Sequence, residues 1–241
     1  MKQYFTIIPL LILANSLKAQ TGYNYYGYGV GFGASASYVR AYTSIPVEYS
    51  HFAFSANLAY NYSPYIPIEA EIQIGTLSGG GLSPNIDPLG REYVDHYKAF
   101  ILHTDIQLGA LINYENNRFL NIIKNAFIGT GVGLISNTDE VQRTSVTDSS
   151  YVFPGTDNSV DIMIPIRLGY EFKIFDQDDE PSAAIAICYI RNFVFGNGIN
   201  GYYDPSANKL YKGVDNYRQF TISFKYYLGS IVSYKKLIRP N

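Results

Sequence analysis

Ionisable residues recur two positions apart in this sequence, the spacing that places both side chains on one face of a β-strand. Such pairs are suited to mutual neutralisation in salt bridges, to passing protons or ions, or to acid–base catalysis beside a nucleophile. The residues that we expect to share one interior face are Glu69, Glu71, His103, Asp105, Asp161, Arg167, Glu171, Lys173 and Lys225.

Mutual neutralisation is the interpretation that we favour for this set. The interior of a small barrel is filled by side chains rather than open as a pore. An unpaired buried charge is costly, so acidic and basic groups there are expected to pair. The residues therefore predict a polar plug, and a proton or ion path is the alternative.

A Ser-His-Asp hydrolase is the catalytic alternative, with His103, Asp105 and Ser55 as its candidates. It needs the three groups within hydrogen-bonding distance and open to substrate, and mid-strand interior positions give poor access. His51 and His96 lie nearer the predicted loops, but no recognisable nucleophile motif accompanies them. We therefore predict a protein that is not an enzyme, with no catalytic residue, cofactor or metal site.

The elements that must position these residues alternate with a period of two. Large apolar residues occupy one face of each run, and small or polar residues occupy the other, as in strands between lipid and a polar lumen. Glycines crowd the lumen face of the first run, where they would leave room for side chains from across a narrow barrel. The alternating runs are 26–38, 52–62, 66–75, 100–114, 126–134, 160–173, 182–195 and 219–228.

The seventh run leaves one question open. If Ile185, Ile187 and Tyr189 face lipid, then Arg191 also points outward, which is tolerable only near a headgroup rim. The opposite facing places Arg191 in the lumen beside acidic partners. The alternation does not choose between the two.

Composition supports a membrane barrel over a soluble domain or a helical membrane protein. Charged residues make up 16% of the chain, below the roughly 25% of soluble domains, and aromatic residues also make up 16%. The net charge of −2 does not indicate a nucleic-acid-binding protein, and a single cysteine excludes an internal disulfide. The fold class that we predict is all-β, an eight-stranded antiparallel up-and-down transmembrane β-barrel.

The chain divides into three predicted segments. Residues 1–19 have a basic start and an apolar run that are typical of a cleaved secretory signal peptide. Residues 20–229 form the barrel, and residues 230–241 form a C-terminal tail. Connections alternate between long and short, and long loops are external in outer-membrane barrels. Both termini are therefore expected in the periplasm of a bacterium.

Tyrosines and lysines suggest contact surfaces outside the lumen. The chain has 24 tyrosines and no tryptophan, and many of the tyrosines lie at strand ends, as in the aromatic girdles of membrane barrels. Outer-membrane lipid and lipopolysaccharide are the expected surroundings, with a periplasmic or secretion-complex protein as a further partner. The residues proposed for a partner surface are Tyr202, Tyr203, Tyr211, Lys235 and Lys236.

Several segments carry a resemblance to a known group. They are the leader ending Leu17-Lys18-Ala19-Gln20, the glycine-rich first strand, the segment 65–79 with the later Gly90-Arg91-Glu92-Tyr93, and the last strand, 220–229. With them the chain resembles the small outer-membrane β-barrel proteins of Bacteroidetes, with OmpA- and OmpX-like architecture. Some relatives, such as PorG-like proteins, are implied to tether secretion machinery. The resemblance transfers no residue role.

The function expected from the sequence is structural. We predict a non-enzymatic barrel that anchors, stabilises or assembles an envelope complex such as a secretion machinery. The alternative is a surface binding protein or adhesin that acts through its external loops, and a lipid-modifying enzyme is a third hypothesis.

Overall fold

The computed structural model describes residues 24–114, 117–146, 148–177, 180–196, 198–203 and 215–235, and the predicted signal peptide lies outside them. Within these residues the regular secondary structure is nearly all strand. The strands are β1 (Asn24–Tyr42), β2 (Glu48–Ser63), β3 (Ile66–Gly80), β4 (Glu92–Gln107), β5 (Ala126–Val141), β6 (Asn158–Phe175), β7 (Pro181–Phe195) and β8 (Asn216–Lys235).

The eight strands close into one barrel in sequence order. Each strand pairs antiparallel with the next, and β8 pairs with β1 along almost its whole length, from Asn24 opposite Lys235 to Tyr42 opposite Asn216. Closure pairs the backbone N–H and C=O groups of β1 and β8, which would otherwise be exposed at the two edges of the sheet. The predicted eight-stranded antiparallel barrel is confirmed.

Alternation along the strands separates an apolar exterior from a polar and aromatic interior. Phe54, Leu58, Ile72 and Leu168 are among many large apolar side chains that are more than half exposed on the outside. Glu69 and its neighbours on the same face are buried inside. An apolar outer face with a polar lumen is the arrangement of a membrane-spanning barrel.

The fourth predicted run, 100–114, extends past the end of the strand that the structure has. The strand β4 ends at Gln107, and Leu108–Ala110 form a 3-10 turn instead of continuing toward residue 114. Ala110 and Tyr114 pack with Tyr65 in a buried cluster at this end of the barrel. Their apolar character serves this cluster rather than a lipid-facing strand, which is why alternation alone misplaced the end.

The last strand also differs from its predicted end at residue 229. Gly229 adopts a φ of 100°, and the register between β1 and β8 shifts between Tyr28 and Val30. Beyond this irregularity, Ile231 to Lys235 continue to pair with β1. The tail predicted from residue 230 therefore begins as strand, because a glycine bulge bends the ladder without ending it.

The predicted alternation of long and short connections holds only in part. The connections after β3, β5 and β7 (81–91, 142–157 and 196–215) are long, and those after β2 and β6 (64–65 and 176–180) are short. The connection after β1 (43–47) is short and that after β4 (108–125) is long, because β4 ends early and a 3-10 turn and a helix follow it. We call the end with the connections after β1, β3, β5 and β7 the long-loop end, and the other end the short-turn end.

The connection after β4 contains the helix α1 (Arg118–Ile123), capped by Asn117, whose side chain accepts from two backbone amides. Among the described residues, no helix has the length and apolar character needed to cross a membrane.

Candidate functional site

The centre of the lumen holds a lysine between two carboxylates. Lys225 of β8 donates to Glu69 Oε1 of β3 at 2.8 Å and lies 2.6 Å from Glu171 Oε2 of β6. Gln107 donates to Glu171 at 2.9 Å, and Asn57 donates to Glu69. Strands that are distant in sequence therefore meet through one buried cation.

A second cluster lies beside the first and centres on Arg167 of β6. The Nε atom of Arg167 donates to Asp105 Oδ1 at 2.9 Å, and its Nη1 lies 3.8 Å from Glu71 Oε2. His103 Nε2 lies 3.2 Å from the same Glu71 oxygen. Acidic and basic groups thus face each other throughout the middle of the lumen.

The remaining residues predicted for the plug lie inside the barrel but apart from these clusters. Asp161, toward the long-loop end, accepts from Ser159 at 2.7 Å and from Asn137 at 3.2 Å. Lys173, toward the short-turn end, donates to the carbonyl of Pro64 and lies 4.3 Å from the centre of the Tyr65 ring. Among the described residues, their direct hydrogen-bond partners are neutral, and neither residue forms an ion pair.

Lumen-facing glycines make room for the charged side chains. A Cβ atom on Gly33 would lie 2.6 Å from the Phe224 carbonyl oxygen and 2.9 Å from Lys225 Cγ. A Cβ atom on Gly129 would overlap the Asp105 carboxylate. The predicted reason for glycines on this face, accommodation of side chains from across the barrel, therefore agrees with the geometry.

Aromatic and aliphatic side chains fill the lumen between the ionic clusters and the long-loop end. The rings of Tyr97 and Tyr217 lie 5.4 Å apart, and both hydroxyls donate to the Gln73 amide oxygen. Met163 and Ile101 are fully buried with them. The lumen is consequently closed by packed side chains above its charged centre.

The structure does not assemble the hydrolase candidates. Asp105 pairs with Arg167 rather than with His103, and the Ser55 hydroxyl is 2.6 Å from that of Ser35. His51 Nε2 lies 2.7 Å from Ser78 Oγ, but the described residues give this histidine no carboxylate partner. The described residues also contain no group of three or more acidic, histidine or cysteine side chains placed to hold a metal ion.

The residues predicted for a partner surface divide by burial. Tyr202 is only 4% exposed and its hydroxyl bonds the carbonyls of Glu92 and Gln142, so its ring is unavailable to a partner. Tyr203, the next residue, is 55% exposed. Tyr211 and Lys236 lie outside the described residues, as does the side chain of Lys235.

A close acidic pair lies inside the long-loop end, beyond the apolar band. Asp95 and Asp139 are directly opposite on β4 and β5, where the outward neighbours include His96 and Glu140. Burial, reinforced by the neighbouring Asp139, raises the pKa of Asp95 to about 9. Burial also raises the pKa of Asp139, to about 8. This pair therefore binds protons more tightly than an exposed carboxylate does.

The structure resolves the facing of the seventh strand. Ile185, Tyr189 and Arg191 point outward, while Cys188 and Ile190 are buried in the lumen. Of the two facings that the sequence left open, the structure therefore has the one in which Arg191 points outward. Arg191 lies toward the long-loop end of β7 and contributes nothing to the lumen plug.

The barrel is similar to solved structures of small outer-membrane proteins. Neisserial surface protein A is 10% identical with a TM-score of 0.41, over 85% of this chain and 99% of that one. Ail of Yersinia pestis is 8% identical with a TM-score of 0.41, over 84% and 99%. CarO of Acinetobacter baumannii is 11% identical with a TM-score of 0.40, over 81% and 97%. No family model and no curated protein matches the chain.

Proposed function

We propose that the chain is exported and inserts into the bacterial outer membrane as a non-enzymatic structural or anchoring component of the envelope. Its short turns and termini lie in the periplasm, and its long loops lie outside. The observation that carries this proposal is the closed lumen. Lys225 and Arg167 are each paired with a carboxylate there, and Tyr97 and Tyr217 fill the space above them. Such an interior offers stability rather than transport.

An anchoring role is supported by the helix α1 at the short-turn end. Phe119 is 66% exposed and Ile122 is 58% exposed, and their spacing of three places both on one helix face. This face is exposed at the short-turn end, which the proposal places in the periplasm. A PorG-like tether for secretion machinery in a member of the Bacteroidetes is the specific form of the proposal.

The test is crosslinking in living cells, followed by affinity purification of the tagged full chain in mild detergent. We expect stoichiometric recovery of periplasmic or secretion-machinery subunits with the unaltered protein. The double substitution Phe119→Ser and Ile122→Ser should abolish that recovery while the barrel still folds. Recovery of the barrel alone from cells with the unaltered protein would contradict the anchoring role.

Surface binding through the external loops is the second candidate. It is supported by apolar side chains that the loops leave exposed, among them Val152 at 60% and Tyr151 at 43%. In the same crosslinking experiment, the matched variant is the pair Tyr151→Ser and Val152→Ser. A partner lost only with this pair would favour surface binding, whereas a partner lost only with the helix variant would favour anchoring.

A further inference from the structure

Three arginines lie side by side on the outer face of the barrel. Arg40 of β1 is directly opposite Arg218 of β8, and Arg218 is directly opposite Arg191 of β7. All three side chains are exposed and point outward. We use the name outer arginine row for these residues.

Among the described residues, the direct contacts of the row are with neutral groups, although Glu48 lies close enough to Arg40 for attraction between their charges. Arg191 Nε donates to Asn216 Oδ1 at 3.1 Å, and its guanidinium lies 5.0 Å from the centre of the Phe193 ring. The Arg218 guanidinium lies 5.9 Å from the centre of the Tyr42 ring. None of the ion pairs formed among the described residues includes an arginine of the row.

This arrangement is unfavourable by itself. Like charges directly opposite each other on neighbouring strands destabilise a sheet. An arginine on the lipid-facing side of a barrel costs about 2–4 kcal/mol at the membrane centre and about 0–1 kcal/mol near the headgroups. Arg40 and Arg218 lie near the long-loop ends of their strands, so the row reaches the depth of the headgroups. A bound anion at that depth would relieve the repulsion.

A hollow on the same face has the groups needed to hold such an anion. Its volume is about 270 Å³, and it is lined by Tyr42, Tyr189, Arg191, Asn216 and Arg218. Guanidinium groups present paired N–H donors that match phosphate oxygens, while the Tyr189 hydroxyl can add a further hydrogen bond. The donor set fits phosphate, which carries several acceptor oxygens.

Apolar neighbours indicate that the phosphate belongs to a lipid. Tyr38 and Phe220 lie opposite each other on the outer face, on the short-turn side of the row, and are about half exposed (52% and 50%). Acyl chains would lie along these side chains below the headgroup. We propose that the outer arginine row binds a phosphorylated glycolipid headgroup of the outer leaflet. This inference rests on the outer-membrane placement that we propose above.

The test uses the full mature chain in nanodiscs of phosphatidylcholine that contain either phosphorylated lipid A or its dephosphorylated form. Native mass spectrometry then measures the lipid A that stays bound. We expect about tenfold preference for the phosphorylated form. The double substitution Arg191→Gln and Arg218→Gln should remove that preference. Lys98→Gln, an outward and exposed lysine on the distant strand β4, is the matched control and should keep it.

Two further measurements distinguish the ways in which this proposal could fail. Free inorganic phosphate is titrated against bound lipid A, and complete displacement by it would mean a site for free phosphate and would overturn the lipid assignment. Circular dichroism in the same nanodiscs reports whether the barrel has inserted. An inserted barrel without phosphate preference overturns only this inference, whereas a barrel that does not insert overturns the membrane placement as well.

Discussion

Lys225 provides the sharpest test of the lumen. Replacing it with methionine keeps a side chain of similar length and removes the one cation that contacts both Glu69 and Glu171 within the described residues. The three side chains are almost completely buried, so water cannot readily replace the lysine. We expect Lys225→Met to destabilise the barrel strongly.

The distances set the size of the effect. At an effective dielectric constant of about 20, a charge pair at 2.8 Å contributes roughly 6 kcal/mol of gross attraction, most of which offsets desolvation. Removing one partner of a buried ion pair leaves an uncompensated charge and costs about 3–5 kcal/mol. Because two carboxylates lose their partner, we expect a loss of about 5 kcal/mol in the free energy of unfolding.

The assay is reversible unfolding in urea with the barrel in lipid vesicles. The chain has no tryptophan, so far-ultraviolet circular dichroism is the primary signal. A shift in gel mobility between folded and heated samples provides an independent measure. Lys98→Met is the control, and as an exposed surface change it should alter the free energy by less than about 0.5 kcal/mol.

A compensated variant separates charge from packing. Lys225→Met combined with Glu69→Gln and Glu171→Gln removes all three charges while keeping the acceptors that Asn57 and Gln107 use. We expect it to recover most of the lost stability, since neutral groups carry no unpaired charge. The reasoning would be refuted if the single variant cost less than about 1 kcal/mol, or if the triple variant were no more stable than the single one.

Three further predictions concern lumen packing, protonation and transport. Gly33→Ala should destabilise the barrel by about 1–3 kcal/mol in the same urea assay, because its Cβ would meet the Phe224 carbonyl, whereas Gly27→Ala has ordinary contacts and should cost less. The raised pKa values of Asp95 and Asp139 mean that the folded state holds more protons than the unfolded state above about pH 4. Stability should therefore fall as the pH rises from about 4 to about 9, and Asp95→Asn should flatten that fall when unfolding is followed against pH. The closed lumen should give no steady single-channel current in planar bilayers, and discrete openings of the unaltered barrel would contradict that expectation.

Much of the barrel can be predicted from local sequence. Alternation predicted eight strands and the inward facing of Glu69, Asp105 and Arg167, and the structure has the same strands and facing. It erred at strand ends, because Ala110 and Tyr114 are as apolar as lipid-facing residues but cap the short-turn end. Local pattern distinguishes the two faces of a strand, yet it does not distinguish lipid from a packed cap.

The sequence by itself determined the number of strands, their period and the charged character of the interior, since each depends only on neighbours along the chain. Tertiary structure alone decided which charges meet. Lys225 contacts carboxylates from β3 and β6, and Arg191 aligns with arginines from β8 and β1. Those neighbours are fixed by barrel closure and by the register between strands, which bring together residues that are far apart in sequence.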